Sequence, residues 1–374
     1  MLQIRLPLPR FVSAGEIFSG SGSLGALRAL DASRAMVLAS GSVLANHAAL
    51  IERSIGAEVV RLVEMPKGEP KLATLKPVLA QVEAFWPDWI IAIGGGSVID
   101  GAKLAWIFYE HPAVDRERLF LMGGLPTLRG KAKFVAVPTT AGTGSEVSSS
   151  ALLIDEASGA KQAIVSHELL PDIAILDSRL ALGCAPSVIA NAGMDALAHA
   201  VESYASRLNN PLADALAEKA AGDILQLLPQ FYQSPDNETL CLAMLNASLL
   251  AGWVQNQKVP GIGHAIAHQL GDFGVAHGAA TGRLLAAAME FNCRDSAARA
   301  KYDTLAGKCG FADADALAAG IKQLADELSL DTLSDKVYAK IPEIAKGAAD
   351  DPCAKFNPLE VNEDAVRAVL ESAR

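Results

Sequence analysis

The sequence predicts an α/β domain built on a parallel sheet, followed by an all-helical domain. Short β-branched runs alternate with helical stretches from about residue 34 to residue 178. Alanine and leucine recur at helical spacing from about residue 185 onward. The 374 residues are enough for two domains of ordinary size, and 51% of them are hydrophobic, so the chain can bury a large core.

Five apolar runs in the first half have the length and composition of buried strands. They are AMVLAS (35–40), AEVVRLV (57–63), WIIAIG (89–94), KFVAVP (133–138) and DIAILD (172–177). Continuous apolar strands separated by helices are typical of a parallel sheet that helices cover on both faces. We therefore expect these runs to pair in one parallel sheet.

The second half has few strand signals and many helical ones. Two examples are PLADALAEKAAGDILQLLPQF and TLCLAMLNASLLAGW, in which apolar residues recur at helical spacing. The change in character comes between Asp177 and Pro186. We therefore place an α/β domain at 1–180 and an all-helical domain at 181–374.

Charge and cysteine content restrict the classes of partner. The net charge of −10 and the lack of a basic block argue against nucleic acid and anionic membranes as partners, and favour a small molecule. Five cysteines without a CxxC pair indicate reduced thiols. The start MLQIRLPLPRF lacks the continuous apolar core of a signal peptide, and no run reaches the length of a membrane span. These features predict a soluble cytoplasmic protein.

Two glycine-rich or hydroxyl-rich turns follow apolar strands. Gly95, Gly96 and Ser97 come directly after WIIAIG, and the run PTTAGTGS follows FVAV. Bare backbone amides at a helix N-terminus can approach a phosphate closely, and two such turns at neighbouring strand ends suit a dinucleotide. Each turn alone also suits any tight connection, and the GxGxxG fingerprint is absent.

Position 40 bears on which nucleotide is bound. A carboxylate at the end of such a strand often holds the ribose hydroxyls of NAD and repels the additional phosphate of NADP. Ser40 stands there instead and leaves room for that phosphate. Both NAD and NADP therefore stay open.

A cluster of polar residues in the helical half predicts a metal site. Asp195 and His199 are four residues apart, as are His264 and His268, and His277 follows 13 residues after His264. Residues four apart share one face of a helix. A single histidine of this kind can be a hydrogen-bonded core residue, but a carboxylate and several imidazoles on apolar faces favour a shared divalent cation such as iron or zinc.

Four motifs together resemble those of the iron-containing (group III) alcohol dehydrogenase family, and the resemblance covers nearly the whole chain. The motifs are GGGSVIDGAK, PTTAGTGSEVS, NAGMDALAHAVESYAS and GIGHAIAHQLG. The resemblance implies an N-terminal dinucleotide-binding domain, a C-terminal all-α metal-binding domain and a cleft between them, which is a dehydroquinate synthase-like architecture.

The resemblance also implies roles for individual residues. It implies four metal ligands: Asp195, His199, His264 and His277. It places His268 near the metal and the nicotinamide, and our candidate for proton exchange is this histidine. It implies cofactor contacts from Gly95, Gly96, Ser97, Thr139, Thr140, Thr143 and Lys161, to which position 40 adds Ser40.

These roles predict a metal-dependent oxidoreductase that transfers a hydride between NAD(P)(H) and a small primary alcohol or aldehyde. We expect Fe²⁺ as the metal, with Zn²⁺ as the alternative, and a homodimer or higher homo-oligomer.

Other readings stay open on the sequence. A same-fold relative such as a glycerol dehydrogenase, a maleylacetate reductase or a dehydroquinate synthase type cyclase is the main enzyme alternative. A cyclase would need cations in the cleft, for which Arg207, Lys258 and Arg283 are available near the predicted ligands. A binding protein that has lost turnover is a third reading, and the presence of all four ligand residues argues against it.

Overall fold

Eight strands lie in the first half of the chain, within the residues that the computed structural model describes, which are 12–121, 123–154 and 161–374. The strands are β1 (Glu16–Ser19), β2 (Ala32–Ala39), β3 (Ala57–Glu64), β4 (Trp89–Gly94), β5 (Lys133–Pro138), β6 (Ser150–Ile154), β7 (Lys161–Val165) and β8 (Ile173–Leu176). Six of them form one parallel sheet in the order β1-β8-β5-β4-β2-β3, and β6 pairs with β7 in antiparallel fashion. The predicted parallel sheet is confirmed.

Helices cover the sheet and make up the second half of the described chain. Those among the strands are α1 (Gly41–Ser54), α2 (Leu72–Phe85), α3 (Gly96–Glu110) and α4 (Arg116–Leu119). Those after β8 are α5 (Pro186–Ala205), α6 (Pro211–Gln233), α7 (Glu238–Gln257), α8 (Ile262–Ala267), α9 (His277–Asn292), α10 (Ser296–Lys308), α11 (Ala314–Glu327), α12 (Asp335–Tyr338), α13 (Ile341–Asp350), α14 (Pro352–Phe356) and α15 (Glu363–Ser372). Within the described ranges, none of these helices combines the length and the apolar character needed to cross a bilayer.

The central strands are apolar throughout because both of their faces are covered. Along β4, Ile91 and Ile93 pack with the core on the α1 side, whereas Ile90 and Ala92 pack with the core formed by α2 and α3. All six residues of β4 are buried. A continuous apolar run with no polar alternation is thus what a central parallel strand requires.

Helix α5 is the centre of the helical half. It packs against α6, α7 and α9, and its residues from Gly193 to Ala205 are all buried. Small side chains such as Ala196, Ala198 and Ala200 allow the neighbouring helices to approach closely. Polar residues on α5 are therefore enclosed by protein and need partners inside it.

Three strands escape prediction from the sequence. Strand β1 is a four-residue edge strand that is mostly exposed, so it carries no apolar run. Strands β6 and β7 form a separate two-stranded sheet, and β6 contacts α3. Both strands are only partly buried, so they do not show the continuous buried pattern of the central strands.

Asp177 joins the beginning of the described chain to the end of β8. Its carboxylate accepts hydrogen bonds from the backbone N–H of Leu24 at 2.9 Å and of Gly22 at 3.2 Å, and from the Arg179 guanidinium at 2.6 Å. Burial by itself would raise the pKa of Asp177, but these hydrogen bonds outweigh burial and lower the pKa. Asp177 therefore stabilises the folded chain in its ionised form.

Candidate functional site

Helix α5 holds Asp195 and His199 on one buried face. The two residues are one turn apart, and Nε2 of His199 lies 4.0 Å from Oδ1 of Asp195. Both side chains are almost fully buried. The helical spacing read from the sequence therefore does bring the two groups together.

Helices α8 and α9 direct two more imidazoles at the same carboxylate oxygen. Nε2 of His264, on α8, lies 3.7 Å from Oδ1 of Asp195, and Nε2 of His277, the first residue of α9, lies 3.5 Å from it. In a tetrahedral shell with bonds of about 2.1 Å, the ligand atoms lie about 3.4 Å apart. Three Nε2 atoms around one oxygen at 3.5–4.0 Å match that spacing closely.

The donor atoms fit a divalent cation. Nε2 of His264 is buried and has no hydrogen-bond partner among the described residues. Leaving a buried polar atom unpaired costs about 1–3 kcal/mol, so such atoms normally have a partner. One ligand atom each from Asp195, His199 and His264 also lies within 4.8 Å of the others. A shared cation would satisfy all of these atoms at once.

Burial and the neighbouring charges set the protonation states in this cluster. Burial lowers the pKa of His199 to about 4 and that of His277 well below its usual value, which keeps both imidazoles neutral and able to coordinate. Burial by itself would raise the pKa of Asp195, but the imidazoles hold it well below its usual range. Burial would lower the pKa of His264, but the carboxylates of Glu202 and Asp195 together outweigh burial and raise it to about 9.

Glu202 contacts this cluster and was missed by sequence reasoning. Its buried carboxylate accepts a hydrogen bond from Nδ1 of His264 at 2.5 Å and from the backbone N–H groups of Gly263 at 2.7 Å and His264 at 3.2 Å. This contact fixes the His264 ring so that Nε2 points to Asp195. The available signal was Glu202 one turn after His199 on the same helix, in HAVESY.

Thr281 also contacts the cluster and was not predicted from the sequence. Its hydroxyl donates to Oδ1 of Asp195 at 3.1 Å from one turn into α9. Thr281 is buried. This hydrogen bond from α9 therefore helps to orient the Asp195 carboxylate, which lies on α5.

His268 is close to this cluster but bonds elsewhere. It follows the last residue of α8, and its Nδ1 lies 2.8 Å from Oδ2 of the buried Asp351. Its ring stacks on that of His277, with ring centroids 5.2 Å apart and planes 7° apart. Asp351, which was not predicted from the sequence, thus contacts Nδ1 of His268 as Glu202 contacts Nδ1 of His264.

The two turns predicted to hold the nucleotide pack directly against each other. A Cβ on Gly96 would lie 2.7 Å from Oγ1 of Thr143, and one on Gly95 would lie 3.4 Å from Oγ1 of Thr140. Gly96 therefore cannot carry a side chain without moving Thr143. Thr139 is held to the first turn as well, through its backbone N–H and the carbonyl of Gly94 at 3.0 Å.

A buried lysine on α3 shapes the loop that follows the second turn. Nζ of Lys103 donates to the backbone carbonyls of Ser145 at 2.8 Å, Ser148 at 2.8 Å and Ser150 at 2.9 Å. Burial lowers the pKa of Lys103 to about 8, although Asp100 opposes the shift. The burial of Lys103 was not predictable from the sequence, because a lysine in a helix usually lies at the surface.

One cleft of about 1010 Å³ joins the two halves of the chain. It is lined by eight of the predicted site residues besides Asp195: Gly96, Ser97, Thr143, Lys161, His199, His264, His268 and His277. Four other predicted residues, Ser40, Gly95, Thr139 and Thr140, do not line this cleft. The cluster around Asp195 and the glycine-rich turn at the start of α3 thus face one common space.

Two predicted cofactor residues are engaged with neighbouring protein groups. Lys161 forms an ion pair with Glu69 at 3.3 Å beside the cleft. The Ser40 hydroxyl accepts a hydrogen bond from the backbone N–H of Val43 at 3.3 Å and so caps α1.

Comparison with known proteins places the chain in a family. The model for iron-containing alcohol dehydrogenase matches residues 14–178, and the model for the C-terminal part of the Fe-containing alcohol dehydrogenase family matches residues 189–374. The chain is 33% identical to an NADPH-dependent butanol dehydrogenase of Clostridium saccharobutylicum, with 97% of each chain covered. It is also 33% identical to a 1-propanol dehydrogenase of Salmonella typhimurium, with 95% of this chain and 97% of the relative covered.

A solved structure agrees with these matches. The iron-containing alcohol dehydrogenase of Thermococcus thioreducens superposes with a TM-score of 0.89 at 31% identity, covering 97% of this chain and 99% of that one. The protein is an oxidoreductase that transfers a hydride between an alcohol or aldehyde and a nicotinamide nucleotide. With its two halves matched in order and nearly its full length aligned, the chain belongs to the iron-containing alcohol dehydrogenase family.

Proposed function

We propose that this enzyme interconverts small, uncharged primary alcohols and aldehydes, with a divalent cation held by Asp195, His199, His264 and His277. The observation that carries the proposal is the approach of three imidazole Nε2 atoms to within 4.0 Å of one carboxylate oxygen. The same cleft contains the turn at the start of α3. Fe²⁺ is our first choice of metal and Zn²⁺ the alternative, since both accept imidazole and carboxylate ligands.

The chemistry divides between the bound groups and the chain. A divalent cation supplies Lewis acidity that favours loss of the alcohol proton or polarises the aldehyde carbonyl. A nicotinamide nucleotide supplies or accepts the hydride. The protein holds both in one cleft: we assign the pyrophosphate to Gly95, Gly96 and Ser97, and further contacts to Ser40, Thr139, Thr140, Thr143 and Lys161.

We assign proton exchange to His268. Oxidation of an alcohol to an aldehyde releases one proton in addition to the hydride, and this proton needs an acceptor at the cleft. Nδ1 of His268 faces Asp351 at 2.8 Å, so Nε2 is the nitrogen left for that exchange. Asp351 positions the ring through Nδ1.

The charges around the cleft support an uncharged substrate. Among the described residues that line it, six are acidic: Glu69, Asp100, Glu117, Asp195, Asp350 and Asp351. Lys161 is the one lysine or arginine in that described lining, and it is paired with Glu69. A carboxylate-bearing or phosphorylated substrate would therefore find no unpaired lysine or arginine in that lining to bind it. The two relatives compared above are named for butanol and 1-propanol, which are small neutral alcohols.

This distribution of charge disfavours the cyclase alternative. The three cations that might have gripped an anionic substrate are bonded elsewhere. Arg207 donates to the carbonyl of Pro358, Lys258 is buried against Asp214, and Arg283 bonds to Asp326. None of the three is part of the described lining of the cleft.

The remaining expectations rest on the resemblance and on composition alone. We propose a homodimer or higher homo-oligomer, a cytoplasmic location, and a domain boundary that separates 1–180 from 181–374.

The test combines metal analysis with turnover. We expect anaerobically purified protein to retain a divalent metal and to oxidise reduced nicotinamide nucleotide when short aldehydes are added. His264→Ala should lose the metal, whereas His47→Ala, on α1 and outside the cluster, should keep it. Unchanged metal content in His264→Ala would refute the ligand assignment, and no turnover across a broad aldehyde panel with metal bound would refute the activity.

A further inference from the structure

A carboxylate from the neighbouring strand lies against the turn at the end of β2. Glu64 ends β3 and stands beside Ala39 in the strand register, and the next residue, Met65, donates its backbone N–H to the Ala39 carbonyl at 2.8 Å. A Cβ built on Gly41 would lie 2.3 Å from Oε1 of Glu64. The Glu64 carboxylate therefore sits directly over the first residue of α1.

The same turn is where the adenosine end of a dinucleotide would lie, given the proposed function. Strand β2 pairs with β4, with Ala39 opposite Ile93, and the Ser40 backbone N–H donates to the Ile93 carbonyl at 3.3 Å. The pyrophosphate turn directly follows β4. A dinucleotide bound across the carboxyl ends of adjacent strands extends from that turn over the end of β2.

We propose that Glu64 determines nucleotide preference: from β3 it supplies the carboxylate that position 40 lacks, and it makes NAD(H) the preferred nucleotide by repelling the 2′-phosphate of NADP(H). This inference rests on the proposed function, which assigns the pyrophosphate to Gly95, Gly96 and Ser97, and it names which of the two nucleotides the site selects. It also changes the interpretation of Ser40, since the space beside that serine is bordered by a negative charge.

The charge of Glu64 is available for this role. Its side chain is exposed, and no ion pair neutralises it within the described part of the chain. The N-terminus of α1 favours an anion with the equivalent of about half a positive charge. A full negative charge at comparable distance outweighs that half charge. The Ser40 hydroxyl is already occupied as the cap of α1, with Ser42 Oγ 3.2 Å away.

Direct binding measurements test the proposal independently of turnover. The dissociation constants of NADH and NADPH are measured by nucleotide fluorescence for the wild type, Glu64→Gln and Glu58→Gln. Glu58 is an exposed carboxylate six residues earlier on the same strand, so its loss changes the net charge equally, about 20 Å away. A carboxylate and a phosphate dianion about 5 Å apart in water repel each other enough to change a Kd roughly ten- to twentyfold.

We expect the wild type and Glu58→Gln to bind NADH more tightly than NADPH, and Glu64→Gln to shift the ratio of the two constants roughly tenfold toward NADPH. Glu64→Lys should shift it further, and added salt should shrink the difference. A wild-type preference for NADPH, or a ratio that Glu64→Gln and Glu64→Lys leave within twofold of the wild type, would overturn the proposal. Failure of either nucleotide to bind any variant would instead refute the proposed function.

Discussion

Replacing Glu202 with glutamine should weaken metal binding and also lower the stability of the folded protein. The Glu202 carboxylate accepts three hydrogen bonds, from Nδ1 of His264 and from two backbone N–H groups, and all three are buried. A glutamine of the same shape has only one oxygen that can accept. Its NH₂ group must therefore face one of the groups that donate to Glu202, either a backbone N–H or Nδ1 of His264. If it faces Nδ1, the His264 proton moves to Nε2, the atom that points at Asp195 and should hold the metal.

The expected magnitude follows from comparable changes to groups that orient metal ligands. Such changes typically weaken metal affinity about 10- to 100-fold, which corresponds to about 1.4–2.8 kcal/mol. At saturating metal the same amount is lost from the stability of the metal-bound protein. The unpaired donor adds about 1–3 kcal/mol of destabilisation that does not depend on metal.

Competition against a chelator of known affinity measures this change on folded protein. Apo-protein is titrated with Zn²⁺ or Co²⁺, and metal per chain is determined after dialysis. Glu110→Gln is the matched control, because Glu110 is also a buried carboxylate and accepts from three backbone N–H groups, those of residues 130–132. It should lose stability and keep metal affinity. A Glu202→Gln variant whose metal Kd stays within twofold of the wild type would refute the reasoning.

Three further changes test the parts of the fold that position the site. Asp177→Asn should destabilise the protein by about 1–3 kcal/mol at neutral pH. Because hydrogen bonds outweigh burial and lower the pKa of Asp177, its contribution to stability is present above about pH 4 and is lost as pH falls further. The stabilities of variant and wild type measured by acid denaturation should therefore converge below about pH 4. Lys103→Met should leave three loop carbonyls without their buried donor, cost about 3–5 kcal/mol in urea unfolding and weaken nucleotide binding, and unchanged stability would contradict that role. Gly144→Ala should destabilise the protein, since φ at Gly144 is +64° and the new Cβ would lie 2.4 Å from Cα of Gly252. Gly222→Ala is the control: a Cβ there has nothing within 4 Å, so the change should stabilise α6 by about 0.5–1 kcal/mol. Equal melting temperatures for the two variants would show that the packing argument is wrong.

Much of the fold was predictable because burial leaves a periodic trace in the sequence. Strand β4 is buried along its whole length and β5 along all but its first residue, so each contains an unbroken apolar run. The edge strand β1 leaves no such trace because it is mostly exposed, and β6 and β7 leave none because both are only partly buried. The partner of β1 is β8, more than 150 residues later, and no local pattern records such a contact.

The sequence by itself determined the family, the α/β and helical halves, and the pairs of polar residues that one helix can present on one face. Helical geometry fixes what lies four residues away, so Asp195 and His199 were predictable as neighbours. Only the tertiary structure decided that His264 and His277, from two other helices, meet the same oxygen of Asp195. It alone brought Glu202 to Nδ1 of His264, Lys103 to the carbonyl of Ser145, and Glu64 next to Gly41. The physical reason is the same in each case: hydrogen bonding, ligation and repulsion act over a few ångströms in space, whatever the separation along the chain.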